Sequence, residues 1–194
     1  METMRKAVFG ACVVLALLLS ACTGASPPTA TPAAPAPEAA TPLRCLFAGA
    51  GATLAFEGKR LNFACERDGE NEVGLLGDIV PSDAGWTIEK ATIGRGDAGF
   101  ELLSSELVLV EHIELADGTS CAFAGTGATL AFEGKRLNFT CGSPEVGLLG
   151  EVTLGDEGWM IEEGTIERGE SGFRLASSEP VLIAALLVSP LGEP

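Results

Sequence analysis

The sequence of 194 residues has a single histidine and no tyrosine, and its basic residues are scarce. With His112 alone, a metal site built from several histidines is excluded, and most acid–base mechanisms lack their usual group. Lysine and arginine total 12 against 27 aspartates and glutamates, which gives a formal net charge of −15. We therefore expect no nucleic-acid partner, because phosphate binding needs a basic surface.

The sequence also lacks a hydrophobic run long enough to span a membrane. Its longest, Ala7–Leu19, has 13 residues, whereas a spanning helix needs roughly 20. The run follows Arg5-Lys6 and has the form of a secretory signal peptide. It ends in Leu19-Ser20-Ala21-Cys22, which resembles the lipobox of bacterial lipoproteins. This resemblance, confined to the first 22 residues or so, implies cleavage before Cys22, a diacylglyceryl group on its thiol and acylation of the new amino terminus.

Residues 22–43 are predicted to be a disordered tether that follows the signal peptide of residues 1–21. They hold six of the 11 prolines and a single charged residue, Glu38, and they have too few large apolar groups to pack a core. An extended proline-rich segment of this length reaches up to roughly 65 Å. We expect an exported protein that is held to a membrane of the bacterial envelope by lipid on Cys22, facing the periplasm or the exterior.

The remainder is a tandem repeat of one unit. We call residues 44–118 copy one and residues 119–194 copy two. Segments 45–65 and 121–141 are identical at 18 of 21 positions, and segments 73–115 and 146–188 at 22 of 43. Self-similarity at a fixed period indicates a repeated structural unit. The period of about 75 residues is longer than the periods of roughly 20–50 residues that are typical of solenoids and propellers.

Each copy is predicted to be all-β, with about five strands. Gly58-Lys59 suits a type II′ turn that places Phe56 opposite Leu61, and Gly134-Lys135 repeats it. A second hairpin is expected from Val73–Val80 and Trp86–Ile93, and a buried strand at Leu107–Leu115. The short join between the copies favours a single pseudo-twofold barrel or sandwich of antiparallel strands. The alternative is two small domains in series, each with a marginal core.

The cysteines supply a stabilising cross-link for so small a unit. Of six cysteines, Cys12 leaves with the signal peptide and Cys22 is the predicted lipid site. Four remain, which allows three pairings. We favour Cys45–Cys65 and Cys121–Cys141, because before duplication a single unit had only its own two cysteines with which to form a disulfide. Each bond would stabilise the fold by roughly 3 kcal/mol. A four-thiolate metal site is not expected, since no CxxC spacing occurs.

Few other residues suggest chemistry, and we expect neither a cofactor nor a metal. The basic pairs Lys59-Arg60 and Lys135-Arg136 lie at hairpin tips and are candidate contacts for an anionic partner, unless they pair with glutamates in their own sheet. Arg95-Gly96-Asp97 reads as a turn in a glycine-rich setting. Acidic residues occur in turns without the clustered oxygen ligands of a calcium loop.

No catalytic arrangement is visible, so we predict a non-catalytic protein that acts as a binding or structural β module. One alternative is a barrel that encloses a small apolar ligand, as lipocalin-like barrels do. Another is an inhibitor of an envelope hydrolase. The expected partners are the membrane and an envelope protein or a small ligand. A large closed cavity would favour the ligand, and a filled core with an exposed patch of Phe and Trp side chains would favour a protein partner.

Overall fold

The computed structural model describes residues 41–65, 71–170 and 172–191 of the chain. The predicted signal peptide, Cys22 and residues 22–40 of the predicted tether lie outside this part. Every regular element of the described residues is a β-strand, so the predicted all-β fold class is confirmed. None of these residues forms a helix that is long and apolar enough to cross a membrane.

The described residues form twelve strands, six in each copy rather than the predicted five. Those of copy one are β1 (Leu43–Phe47), β2 (Ala55–Phe56), β3 (Lys59–Cys65), β4 (Glu72–Ser82), β5 (Gly85–Gly96) and β6 (Gly99–Leu115). Those of copy two are β7 (Ser120–Phe123), β8 (Ala131–Phe132), β9 (Lys135–Cys141), β10 (Ser143–Leu154), β11 (Trp159–Gly169) and β12 (Gly172–Pro190). The additional strand arises because the predicted first strand is split into β1 and β2, with a loop between them.

The strands form one antiparallel sheet that closes into a ring. Within copy one the neighbours run β1, β3, β4, β5, β6, and copy two repeats this order with β7, β9, β10, β11, β12. The copies join where β6 pairs with β12 and β7, and where β12 pairs with β1. Two strands of each copy therefore pair with the other copy, which is the single closed body that the sequence predicted.

The β6–β12 ladder relates the copies by a two-fold. Equivalent residues in these strands are 73 positions apart, so Val110 corresponds to Ile183 and Leu115 to Val188. The ladder pairs Leu115 with Ile183, and Val110 with Val188. Leu115 thus faces the equivalent of Val110, and Val110 faces the equivalent of Leu115. This reciprocal pairing is what a self-complementary contact around a two-fold axis requires.

The first hairpin forms, but its predicted turn is wrong. Ala55 pairs with Arg60 and Phe56 with Lys59, so Glu57 and Gly58 are the two turn residues. Both have positive φ, 51° and 82°, which is the signature of a type I′ turn. Glycine is favoured at the first central position of a type II′ turn and at the second central position of a type I′ turn. Gly58 occupies the second position. Phe56 therefore does not lie opposite Leu61, and copy two shows the same turn at Glu133 and Gly134.

The other predicted strands lie inside longer ones. Val73–Val80 and Trp86–Ile93 belong to β4 and β5, whose turn is shorter than predicted because Ser82 pairs directly with Gly85. The predicted strand Leu107–Leu115 is the second half of β6, which begins at Gly99. The Arg95-Gly96-Asp97 segment leads into the β5–β6 turn, as expected, since Gly96 pairs with Gly99.

Both predicted disulfides are present. Cys45 of β1 lies directly opposite Cys65 of β3, and Cys121 of β7 lies opposite Cys141 of β9. Each bond closes a sequence separation of 20 residues. The bonds cross-link neighbouring strands within one copy, so neither of them joins the two copies.

One hydrophobic core is shared by the copies. Its buried side chains come from both, with Phe63, Trp86 and Ile113 from copy one beside Phe139 and Trp159 from copy two. The Phe63 ring stacks on Trp159 of copy two at 6.5 Å between centroids, and Trp86 packs on Phe139 at 6.2 Å. Two small domains in series would keep these rings in separate cores, so that alternative is wrong.

Two glycines allow the copies to approach closely. A Cβ atom on Gly158 would lie 2.8 Å from the Phe47 ring, and one on Gly85 would lie 2.9 Å from the Phe123 ring. Gly158 and Gly85 have φ values of +142° and +134°, which residues other than glycine rarely adopt. Each copy thus inserts one phenylalanine against a glycine of the other.

Candidate functional site

An open groove of about 820 Å³ lies between the copies. One wall is the β4–β5 turn of copy one, from Pro81 to Trp86, and the other is formed by β9, β10 and β11 of copy two. We call it the junction groove. Its volume falls in the range of about 300–1,000 Å³ that is typical of binding pockets.

The deeper part of the junction groove is continuous with the core. Trp86, Phe123 and Ile161 line it, and Trp86 is only 4% exposed. Phe123 packs on the buried Phe139 with ring centroids 5.6 Å apart. Trp86 and Ile161 are held by core packing and form the floor of the groove, whereas Phe123 is partly exposed there.

The predicted contact residues Lys135 and Arg136 line this groove, and each has a partner in copy two. Lys135 forms an ion pair with Glu162 of β11, which together with Ser178 lowers the pKa of that carboxyl. The Arg136 guanidinium donates to the Thr126 carbonyl at 2.5 Å. Such exposed ion pairs contribute about 0–1 kcal/mol, so these cations remain available to exchange partners.

Lys59 and Arg60 repeat this arrangement in copy one. Lys59 pairs with Glu89 of β5, and hydrogen bonds from Lys59 and Ser105 lower the pKa of that carboxyl. The Arg60 guanidinium donates to the Ala50 carbonyl. The basic tips therefore pair with glutamates of their own sheet, the alternative that the sequence left open. The glutamate lies on a different hairpin from the one that carries the tip.

Two carboxylates of the junction groove stand without partners. Asp83 and Glu151 line it from opposite copies, both are exposed, and neither forms an ion pair with another described residue. Asp83 and Glu151 can receive basic groups of a ligand, whereas Lys135 and Arg136 of the same groove can receive acidic ones.

Sequence reasoning missed two buried asparagines, of which Asn138 lines the groove and Asn62 is its equivalent in copy one. Asn62 and Asn138 are buried, 4% and 6% exposed, and each side-chain amide donates to a glycine carbonyl at 2.7 Å, Gly77 or Gly150. Both glycines have φ of 70° and lie where the ladder of β4 or β10 shifts register. The signal available was that both copies carry asparagine in an otherwise apolar strand.

The remaining polar candidates do not form a catalytic arrangement in the part of the chain that is described. His112 borders a shallow pocket of about 400 Å³ with Ser120, Thr140 and Ser143. Ser104 and Ser105 lie elsewhere, on the exposed first half of β6. Across the described ranges, no group of three or more His, Cys, Asp or Glu side chains is placed to hold a metal ion.

One acidic pair distinguishes copy two. Glu163 of β11 lies directly opposite Glu179 of β12. Burial raises the pKa of Glu163, and the charges of Asp117 and Glu179 raise it further. The equivalent positions in copy one hold Lys90 and Glu106, which form an ion pair. The two halves therefore share a fold but carry different surface charge.

Comparison with known proteins leaves the fold and these surfaces as the basis for function: no family model, no curated protein and no solved structure matches the chain.

Proposed function

We propose that the protein is a lipid-anchored, exported and non-catalytic binding module of the bacterial cell envelope, whose junction groove binds an exposed segment of an envelope protein. The observation that carries the binding role is the groove itself, with its apolar surface from the shared core and its unpaired carboxylates Asp83 and Glu151. A segment with apolar and basic side chains complements it.

A small apolar ligand enclosed in the barrel, the first alternative, has less support. The interior of the ring is occupied by core side chains that include Phe63, Phe139, Trp86 and Trp159, whereas the junction groove is open to solvent. The inhibitor of an envelope hydrolase, the second alternative, would use the hairpin tips. Lys59 and Lys135 of those tips pair with glutamates of the same sheet, so a hydrolase would have to displace these exposed ion pairs.

The anchoring part of the proposal is tested at Cys22. Cys22→Ser should abolish incorporation of radiolabelled palmitate, because the thiol carries the diacylglyceryl group in a lipoprotein. Palmitate that persists on this variant would contradict the predicted lipid site.

The binding part is tested by reversing one charge in the groove. Glu151→Lys should abolish enrichment of a partner from envelope extract on the purified protein. The matched control is Asp78→Lys, the equivalent position of copy one, which should leave enrichment unchanged. Equal enrichment by both variants would contradict binding in the groove. A small bound molecule in native mass spectra of the purified protein would instead support the ligand-binding alternative.

A further inference from the structure

Several strand segments of the closed sheet pair on one side only among the described residues, and the two longest belong to β6 and β12. β6 pairs with β5 over Gly99–Leu109, whereas its pairing with β12 begins only at Val108. β12 likewise pairs with β11 over residues 172–182 before it reaches β6. Within the described part of the chain, segment 99–107 and segment 172–181 therefore pair with a strand on one side only, since the Leu182 carbonyl already accepts a hydrogen bond from the Ala116 N–H. We call them the β6 edge and the β12 edge.

The two edges differ in how they are protected. The β6 edge carries three large apolar side chains that are about half exposed, Phe100 (45%), Leu103 (51%) and Leu107 (53%). The β12 edge retains only Phe173 of these, because Ala176 and Pro180 replace the two leucines. Proline on an exposed edge is a common protection against strand pairing, and the β6 edge lacks it, although it keeps two acidic residues, Glu101 and Glu106, and a bulge at Leu103.

We propose that the β6 edge is a self-association surface, through which two chains pair antiparallel about a two-fold axis over residues 100–107. The resulting ladder would supply partners for the backbone N–H and C=O groups that face solvent in one chain. It would also cover the exposed apolar side chains of that edge.

A β-bulge makes the segment self-complementary. Thr92 pairs with Ser104 and Ile93 with Leu102, so Leu103 has no partner on β5. Side chains alternate between the faces of a strand, and an odd separation would normally place Phe100 and Leu107 on opposite faces. The additional residue reverses this.

The partners on β5 show the effect of the bulge. Phe100 pairs with Arg95 and Leu107 with Glu89, two positions that share one face of β5. In an antiparallel pair of chains, Phe100 of each chain can therefore lie opposite Leu107 of the other. The paired side chains then lie on the same face of the sheet on both sides of the bulge. Cross-strand pairs of aromatic and aliphatic side chains stabilise a sheet by about 0.2–1 kcal/mol each.

Charge opposes this association at low salt. In the same register Glu101 faces Glu106 of the second chain, although Glu106 is paired with Lys90 in its own chain. The chain also carries a formal net charge of −15. Salt screens repulsion between exposed charges, so the dimer should become tighter as ionic strength rises.

The test is sedimentation velocity on residues 23–194, a chain that keeps every described residue and lacks Cys22. We expect a concentration-dependent dimer whose Kd falls with added salt. Leu107→Pro should raise that Kd at least tenfold without unfolding the chain, because copy two carries proline at the equivalent position. Pro180→Leu is the matched control and should leave the Kd of the β6-mediated dimer unchanged. Phe100→Lys provides a second disruption that does not alter the backbone.

Cysteine cross-linking tests the register. A mixture of Phe100→Cys and Leu107→Cys chains should form an intermolecular disulfide on mild oxidation, and neither variant alone should do so efficiently. A monomer at several hundred micromolar, a dimer insensitive to both Leu107→Pro and Phe100→Lys, or cross-linking confined to a single variant would each overturn the proposal. Binding of a strand from a different protein at this edge, without a dimer, would also overturn it.

Discussion

Copy one and copy two build the same framework from similar sequence and then use it differently. Their first segments, 45–65 and 121–141, are nearly identical and form the same turn, the same disulfide and the same contact between a phenylalanine and a glycine of the other copy. The later strands differ mainly at the surface, where the ion pair of Lys90 and Glu106 becomes the acidic pair of Glu163 and Glu179. Core geometry is thus shared, whereas surface chemistry is specific to each copy.

The largest expected effect tests whether the disulfides are equivalent. Replacing both cysteines of Cys45–Cys65 by alanine should cost about 3 kcal/mol of unfolding free energy, and so should the same change at Cys121–Cys141, because both bonds close loops of equal length. Urea unfolding followed by circular dichroism measures both. Because the copies share a core, each change should shift a single transition. A variant that loses structure in only one half would show that the copies are separate.

The next effect tests the close contacts between the copies. Gly158→Ala and Gly85→Ala should each destabilise by about 1–3 kcal/mol, since the added methyl overlaps a phenylalanine ring of the other copy. Gly118→Ala is the matched control, because Gly118 also has positive φ (+92°) but no neighbouring atom within 4 Å of the added Cβ. It reports the backbone strain alone. Equal losses for all three variants would mean that the contacts between the copies are unimportant.

The smallest effect tests the surface difference. Glu163→Lys should create an ion pair with Glu179 like that of copy one, and should stabilise by about 0.2–1 kcal/mol at neutral pH. Lys90→Glu should destabilise copy one by a similar amount. Thermal unfolding at low salt resolves changes of this size.

The pH dependence of the Glu163→Lys effect follows from the raised pKa of Glu163. A carboxyl whose pKa is higher in the folded than in the unfolded state destabilises the fold while it is charged. That cost is present at neutral pH and disappears as pH falls through the raised folded-state pKa toward the unfolded value. The gain from Glu163→Lys should therefore shrink on acidification. A gain that grows on acidification would contradict the assignment.

The strands and the disulfides were accessible from the sequence because they follow from local pattern and from the repeat, and the short join between the copies indicated the shared core. Alternating apolar residues defined the strands, and the repeat limited the cysteine pairing. The turn at Glu57 and Gly58 was missed because glycine fits two turn types, and the choice between them depends on how β1 lies against β3. The bulge at Leu103 has no local signal of its own.

The junction groove could not be predicted because its walls come from different copies. Asp83 and Glu151 are distant in sequence, and they meet at one groove only because the two-fold arrangement brings the β4–β5 turn beside β10. The sequence also does not show which apolar residues are buried in the core and which are exposed. Phe63 and Phe100 are both phenylalanines in predicted β sequence, yet one is fully buried and the other is 45% exposed.

The central claim, that the two copies share one core, is tested most directly with the two tryptophans, one in each copy. Trp86→Phe leaves Trp159 as the only fluorophore of its kind, and Trp159→Phe leaves Trp86. In each variant, urea unfolding followed by tryptophan fluorescence should have the same midpoint as unfolding followed by far-ultraviolet circular dichroism, because one cooperative unit reports identically through any probe. A biphasic circular dichroism curve, with a fluorescence midpoint that matches only one of its two transitions, would contradict a shared core.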